Sequence, residues 1–196
     1  MTPHRGDRLD LDLAGVDRLE IHVIGGEVNV TANRAEAGDV VHVEAEVLRG
    51  PAIDVDLRPD GTLVIDHKPV ASISGLLAGH VAIRAVVTVT VPERTEVHVR
   101  TVSADSFVGG LTDATSVTTV SGRVTATALD GETALKSVSG DVDVQGVAGS
   151  VRCVTVSGDL TINGGSPTDV SARSVSGDLT FDLDEIAPLD CTTVSG

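Results

Sequence analysis

The chain has 196 residues, enough for one ordinary domain or two small ones, and 41 % of them are apolar, so a packed core is within reach. Aromatic residues make up only 1 %, two Phe with no Tyr or Trp, which excludes a nucleic-acid binder that stacks bases on rings. The 29 acids against 14 bases give a net charge of −15, which repels phosphate backbones and anionic bilayers, so neither nucleic acid nor membrane is an expected partner.

The opening residues, Met1 to Asp7, carry no apolar stretch behind their basic residues and do not read as a secretory signal. No apolar run approaches the ~18 residues that span a bilayer. A soluble, cytoplasmic protein is expected. The acids are spread along the chain, 16 in residues 1–100 and 13 in residues 101–196, as a solvated exterior requires.

Alternating strands begin early. Leu19 to Val23 and Glu27 to Val30 flank Gly25-Gly26, and Val41 to Val47 comes next. Ile53 to Leu57 and Thr62 to Asp66 flank Arg58-Pro59-Asp60-Gly61, a hairpin signal. Ser72 to Gly79 reads as a loop, and Val81 to Val91 as a strand ended by Pro92. Residues 1–94 are expected to form a β-strand cap, continuous with residues 95–196 because no linker-like stretch separates the two.

Residues 95–196 are a repeat. Val102, Val120, Val138, Val156, Val175 and Val194 each open a Val-Ser-Gly or Val-Ser-Ala unit, at spacings of 18, 18, 18, 19 and 19. A Thr or Ser precedes each Val, at Thr101, Thr119, Ser137, Thr155, Ser174 and Thr193. Apolar columns recur at fixed offsets, three before each Val (Val99, Val117, Leu135, Cys153, Ala172, Cys191) and four after (Ser106, Val124, Val142, Leu160, Leu179). The period of 2 is strand geometry, and β-branched residues with Gly leave no helical stripe. At ~3.3 Å per residue an 18-residue unit has a path of ~59 Å, one coil of two or three short strands. The expected fold is all-β: a single-stranded parallel β-solenoid, a right-handed β-helix of 18–19-residue coils behind the N-terminal cap. On this reading Val138, Gly140, Val142 and Val144 share the buried face, and the six valines form a structural ladder. The extra residue of the last two coils is expected between Gly164 and Asp169 and between Asp184 and Pro188.

The Val-Ser-Gly-Asp-Val units, the acidic N-terminal strands and the lack of aromatics resemble the bacterial, actinobacterial-type "putative adhesin" β-strand-repeat family of unknown function. The resemblance covers most of the chain. It implies a β-solenoid without an enzymatic role, and it offers no catalytic residues to carry over.

Several groups are candidates for chemistry. Cys153 and Cys191 share a column two coils apart, ~9.6 Å at the strand spacing; a disulfide needs Cα atoms within ~7 Å, so both are expected as buried thiols. Of the six His, only His22, His42 and His98 lie inside alternating strands where two could meet as a metal pair, and no zinc-like spacing is present. Asp141, Asp159 and Asp178 form a column at ~4.8 Å intervals, suited to solvating a corner, to binding calcium, or to the acid and base of a carbohydrate-cleaving enzyme. The Thr-x-Ser ladder beside the valines has the look of an ice-binding array, but the Gly after each Ser suggests a corner. No phosphate loop, dinucleotide fingerprint or nucleophile elbow occurs, and no catalytic residue, metal or cofactor is expected. The expected function is a non-enzymatic interaction or structural module that contacts a protein partner or another copy of itself through a solenoid end or face, a homodimer included. A carbohydrate-binding or carbohydrate-cleaving β-helix using Asp141, Asp159 and Asp178 is the alternative.

Overall fold

The computed structural model describes residues 8–33, 39–67, 83–185 and 187–195. The loop expected over Ser72 to Gly79, and the first two residues of the strand expected from Val81, lie outside them. The strands are β1 (Arg8–Ala14), β2 (Arg18–Asn33), β3 (Val40–Arg49), β4 (Ile53–Leu57), β5 (Thr62–His67), β6 (Arg84–Pro92), β7 (Glu96–Gly109) and β8 (Thr115–Thr119). After these come β9 (Val124–Thr127), β10 (Thr133–Ser137), β11 (Val142–Val147), β12 (Val151–Ser157), β13 (Leu160–Gly165), β14 (Val170–Ser176), β15 (Leu179–Asp182) and β16 (Leu189–Ser195). The described residues contain no helix, so none is long and apolar enough to cross a membrane.

From β7 onward the chain coils. The ladder β7-β8-β10-β12-β14-β16 is parallel and forms one sheet. The ladder β7-β9-β11-β13-β15, also parallel, forms the other. Register follows the repeat: Val99, Val117, Leu135, Cys153, Ala172 and Cys191 are stacked partners. So are Ser106, Val124, Val142, Leu160 and Leu179. The two inner faces meet in one apolar core in which Val117, Val124, Leu135, Val144, Leu160 and Ile162 are buried. Shared layers of Val, Leu, Ile and Ala do here what rings do elsewhere.

The sheets are not separate layers, because β2 and β7 belong to both. β2 pairs in parallel with β7 from Arg18 on Glu96 to Thr31 on Gly109, so it is already one turn of the coil. Its Gly25 and Gly26 lie on Ser103 and Ala104, the corner of the next coil. Leu19 to Val23 and Glu27 to Val30, two strands by sequence pattern, are therefore one bent strand.

The N-terminal part departs from a strictly parallel, single-stranded solenoid. β5 and β6 stack in parallel on the two halves of β2, but β4 on β5, β3 on β6 and β1 on β3 are antiparallel. A short connection accounts for one of the three: β4 and β5 are joined by a tight turn in which the Gly61 N–H donates to the Arg58 carbonyl at 3.1 Å, with Gly61 at φ +79°. Parallel neighbours would need a full crossover.

Candidate functional site

The Val-Ser-Gly corner decides which residues face solvent. Thr101, Thr119, Ser137, Thr155 and Ser174 are buried, whereas Val102, Val120, Val138, Val156 and Val175 are 43–48 % exposed and Val194 is 77 % exposed. This corrects the placement of the valine ladder in the core. The cause is a change of parity at the corner. Ser137 points inward and bonds across the turn, its Oγ donating to the Gly140 carbonyl (2.7 Å) and accepting from the Gly140 N–H (2.8 Å). The link returns the chain to the interior at Gly140, so Val138 and Ser139 both stay outside and the period of 2 is broken. Thr119 accepts the Gly122 N–H in the same way, at 3.1 Å. A Cβ on Gly140 would overlap the carbonyl oxygen of Gly122 one coil below, and one on Gly122 would overlap that of Ala104, so the stacking demands glycine there.

The outer hydroxyls are used between coils. Ser121 and Ser139 donate both N–H and Oγ to the carbonyls of Val102 and Val120, at 2.8–3.1 Å. Because the Thr/Ser column is buried and the Ser column is outside, no flat Thr-x-Ser array exists on the surface of the described residues.

The aspartate column is built into the same ladder. Oδ1 of Asp141 accepts the Asp159 N–H at 3.2 Å, and Oδ1 of Asp159 accepts the Asp178 N–H at 3.0 Å. Nearer the N-terminus, Asp105 accepts the Arg123 N–H at 2.9 Å, and the Arg123 guanidinium lies 3.7 Å from Asp141. One oxygen of Asp105, Asp141 and Asp159 is thus committed to the backbone of the next coil, and the second oxygen of Asp141 is the one that lies 3.7 Å from Arg123.

The surface around this corner has a consistent order. Two residues before each valine stands an outward column whose members are paired in register: Arg100, Thr118, Lys136, Val154, Arg173 and Thr192. Arg100, Lys136 and Arg173 are exposed, and among the described residues none of them makes an ion pair. Three residues after each valine stands the column Asp105, Arg123, Asp141, Asp159 and Asp178, all exposed. A continuous ridge of valine therefore runs along the solenoid with a cation column on one side and a carboxylate column on the other. Ten large apolar residues are exposed among those described, and six of them are this ridge. Beside it, Lys136, Arg152 and Arg173 line a shallow groove of about 590 Å³ together with Val154, Ser171 and Leu189. Sequence reasoning places Lys136 and Arg173 beside the Thr-x-Ser ladder but missed the column they form with Arg100; its signal is that all three share one repeat offset.

The histidines do not converge. His42 meets carboxylates on both ring nitrogens: Nδ1 is 2.8 Å from Asp12 and 3.8 Å from Asp10, and Nε2 is 3.4 Å from Glu44. The hydrogen bonds to Asp12 and Glu44 raise its pKa above the ordinary value, and Glu44 is further held by Arg8 at 2.7 Å. His42, Asp10 and Glu44 offer donor atoms close enough for a cation. His98 bonds Glu96 at 2.8 Å, and His67, buried, bonds the Pro51 carbonyl at 3.0 Å through Nε2. The two cysteines part company. Cys153 is buried, and desolvation pushes its pKa up to about 12, whereas Cys191 is exposed, contrary to the expectation of two core thiols. The reason is position: Cys191 occupies the core column of a coil whose strand β16 is solvent-exposed throughout.

Solved structures similar to this chain include the following three. One is a "putative cell adhesion protein" from Clostridium sporogenes, 11 % identical over 92 % of this chain and 100 % of that one, with a TM-score of 0.46. Another is a "putative lipid binding protein" from Parabacteroides distasonis, 11 % identical over 100 % and 96 %, with a TM-score of 0.47. The third is a "putative adhesin" from Parabacteroides merdae, 10 % identical over 98 % and 95 %, with a TM-score of 0.37. No curated protein matches the sequence. The match that covers the bent strand β2, the coils and the valine corners alike is to the family described as Toastrack DUF4097, over residues 16–196, and the chain belongs to that family.

Proposed function

We propose that the protein is a non-enzymatic interaction module whose contact surface for protein partners is the valine ridge and the charged columns beside it. The observation that carries this is the exposure of Val102, Val120, Val138, Val156 and Val175 as one uninterrupted stack. Strand propensity does not require valine there, because Thr118 and Thr192 occupy equivalent outward positions in the neighbouring column. The stack adds roughly a few hundred Å² of contiguous apolar surface to a chain of high net charge, the size and setting of a contact patch. Polar columns on both sides supply the rim that such patches carry. A carbohydrate role for Asp141 and Asp159 would have to work with one oxygen of each held by a backbone N–H.

The test places a photo-crosslinking residue at Val138 and, as a control, at Thr125 on the opposite sheet, in the full chain inside cells. Discrete protein adducts from Val138 that are absent at Thr125, and that disappear when Val120 and Val156 are both changed to Ser, are expected. Equal labelling from the two positions would overturn the reading.

A further inference from the structure

Resting on the reading of the valine ridge as a contact surface, we infer that its partner is a second copy of this chain, side by side and in register, related by a two-fold axis parallel to the solenoid axis. Charge and symmetry select this pairing. In each coil that carries a cation two residues before the valine, an aspartate stands three residues after it: Arg100 with Asp105, Lys136 with Asp141, and Arg173 with Asp178. The valines lie between. Two such surfaces can be brought face to face by a two-fold axis in only two simple ways. An axis perpendicular to the ridge runs the copies antiparallel and sets each column against itself, so that Arg100, Lys136 and Arg173 reach no aspartate of the second copy and Asp141 meets that copy's equivalent of Asp159 at full overlap. An axis along the ridge runs them parallel and sets each cation column against the partner copy's aspartate column.

In the parallel arrangement the coils meet at equal height, because the two ladders share one repeat. Lys136 then faces the partner copy's equivalent of Asp141, Arg173 that of Asp178, and Arg100 that of Asp105, on both sides of the axis. The coil carrying Arg123 presents Thr118 opposite, so no like charges meet there either. Each ridge valine meets its own counterpart. Arg100, Lys136 and Arg173 make no ion pair among the described residues, so they are available for these contacts. Asp105, Asp141 and Asp178 are exposed, and the second oxygen of Asp141, 3.7 Å from Arg123, is shared between that guanidinium and the incoming lysine. The ridge of six valines is about 24 Å long at the strand spacing. A contact of that length along a convex corner lies at the small end of the interface range, so the pairing is reversible, concentration-dependent and salt-sensitive.

Single cysteines placed on the ridge read the arrangement directly. In a Cys191→Ser background, Val120→Cys and Val175→Cys are prepared separately, one carrying a size tag, with Cys153 left in its buried position. Under mild oxidation each variant alone is expected to form a disulfide-linked dimer, because each residue lies against its counterpart. An equimolar mixture is expected to give like-with-like dimers only. Combining Lys136→Glu with Arg173→Glu should slow cross-linking at least tenfold, and Asp141→Asn with Asp178→Asn, which keeps the acceptor for the next coil, should slow it severalfold. Thermal melting of each variant confirms that the fold is retained. Mixed 120–175 dimers, absence of dimers at every concentration, or cross-linking unaffected by charge reversal would overturn the inference. If no dimer forms while a photo-crosslinker at Val138 captures a different protein, the self-pairing falls and the ridge remains a contact surface. If Val138 captures nothing beyond the control, the ridge reading itself has failed.

Discussion

Asp141 and Asp159 are joined across adjacent coils by a hydrogen bond in which the Asp159 N–H donates to Asp141 Oδ1 at 3.2 Å. The side chain of one coil thereby caps the strand entry of the next, and the repeat of aspartate after Val-Ser-Gly has a structural cause before any ligand is considered. Asp141→Asn keeps an acceptor oxygen, whereas Asp141→Ala leaves the N–H to water. The alanine variant is expected to lose about 1 kcal/mol, a loss of the order of a helix cap, and the asparagine variant less than half of that, by urea denaturation.

Glycine at the corner is a matter of contact. Gly140→Ala drives a Cβ into the Gly122 carbonyl and should cost several kcal/mol. Gly146, at φ +61° with nothing within 4 Å of its Cβ position, should cost only about 1 kcal/mol when replaced by Ala, a melting shift of a few degrees. Melting curves of the two variants side by side separate crowding from backbone preference.

Substitution within β10 and at the corner just after it should differ sharply. Val138→Asp places its carboxylate in water and should change stability by less than about 1 kcal/mol. Leu135→Asp, at a position with no exposure, should unfold the coils around it, costing several kcal/mol. Equal losses would mean that Val138 lies in the interior.

Thiol titration should count one cysteine per native chain and two after denaturation. Cys191 is exposed and reacts; Cys153 is buried, with its thiol pushed up to about 12, and stays protonated at neutral pH. Rapid native labelling of both would place Cys153 outside the core.

Acid sensitivity is expected from His67. Burial lowers its pKa below the ordinary 6.5, so between that value and the lower folded one the unfolded chain binds more protons than the native one. Its contribution is complete above pH 6.5 and is lost as pH falls through the window below. His42, raised by Asp12 and Glu44, acts in the opposite sense: its contribution is present below pH 6.5 and fades as pH rises through its folded pKa. Urea midpoints measured from pH 8 to pH 5 should fall toward acid in the native sequence and fall less in His67→Gln.

Much of the architecture was legible in the repeat. The column from Val99 to Cys191, and that from Ser106 to Leu179, are the observed partners, because parallel stacking of equal coils places equal repeat positions on top of one another. The side on which the valines lie was not legible. A period of 2 carried through Ser137 to Gly140 buries Val138, and only the bond from Ser137 to Gly140, a contact three residues apart, inverts the parity. The antiparallel pairing of β1, β3 and β6 was hidden for a different reason: alternating strands carry no mark of direction, and these three are not consecutive, so no turn between them reveals it. His42 and Asp12, thirty residues apart, meet only because β1 lies antiparallel on β3.

The coils take up their change of length at a single corner. Stacked glycines hold both corners in backbone contact with the coil below, Gly122 and Gly140 beside the valines and Gly131 and Gly149 opposite them. At the opposite corner the register passes from a step of 18 to one of 19 between Gly165, paired with Val147, and Thr168, whose N–H reaches the Gly149 carbonyl, and both sheets continue undisturbed. Such a molecule can gain or lose whole coils by gene duplication or deletion, and here a single extra residue enters at the corner away from the valines. The valine edge passes each change of length without a break in its stack, like a ruler against which charges are spaced.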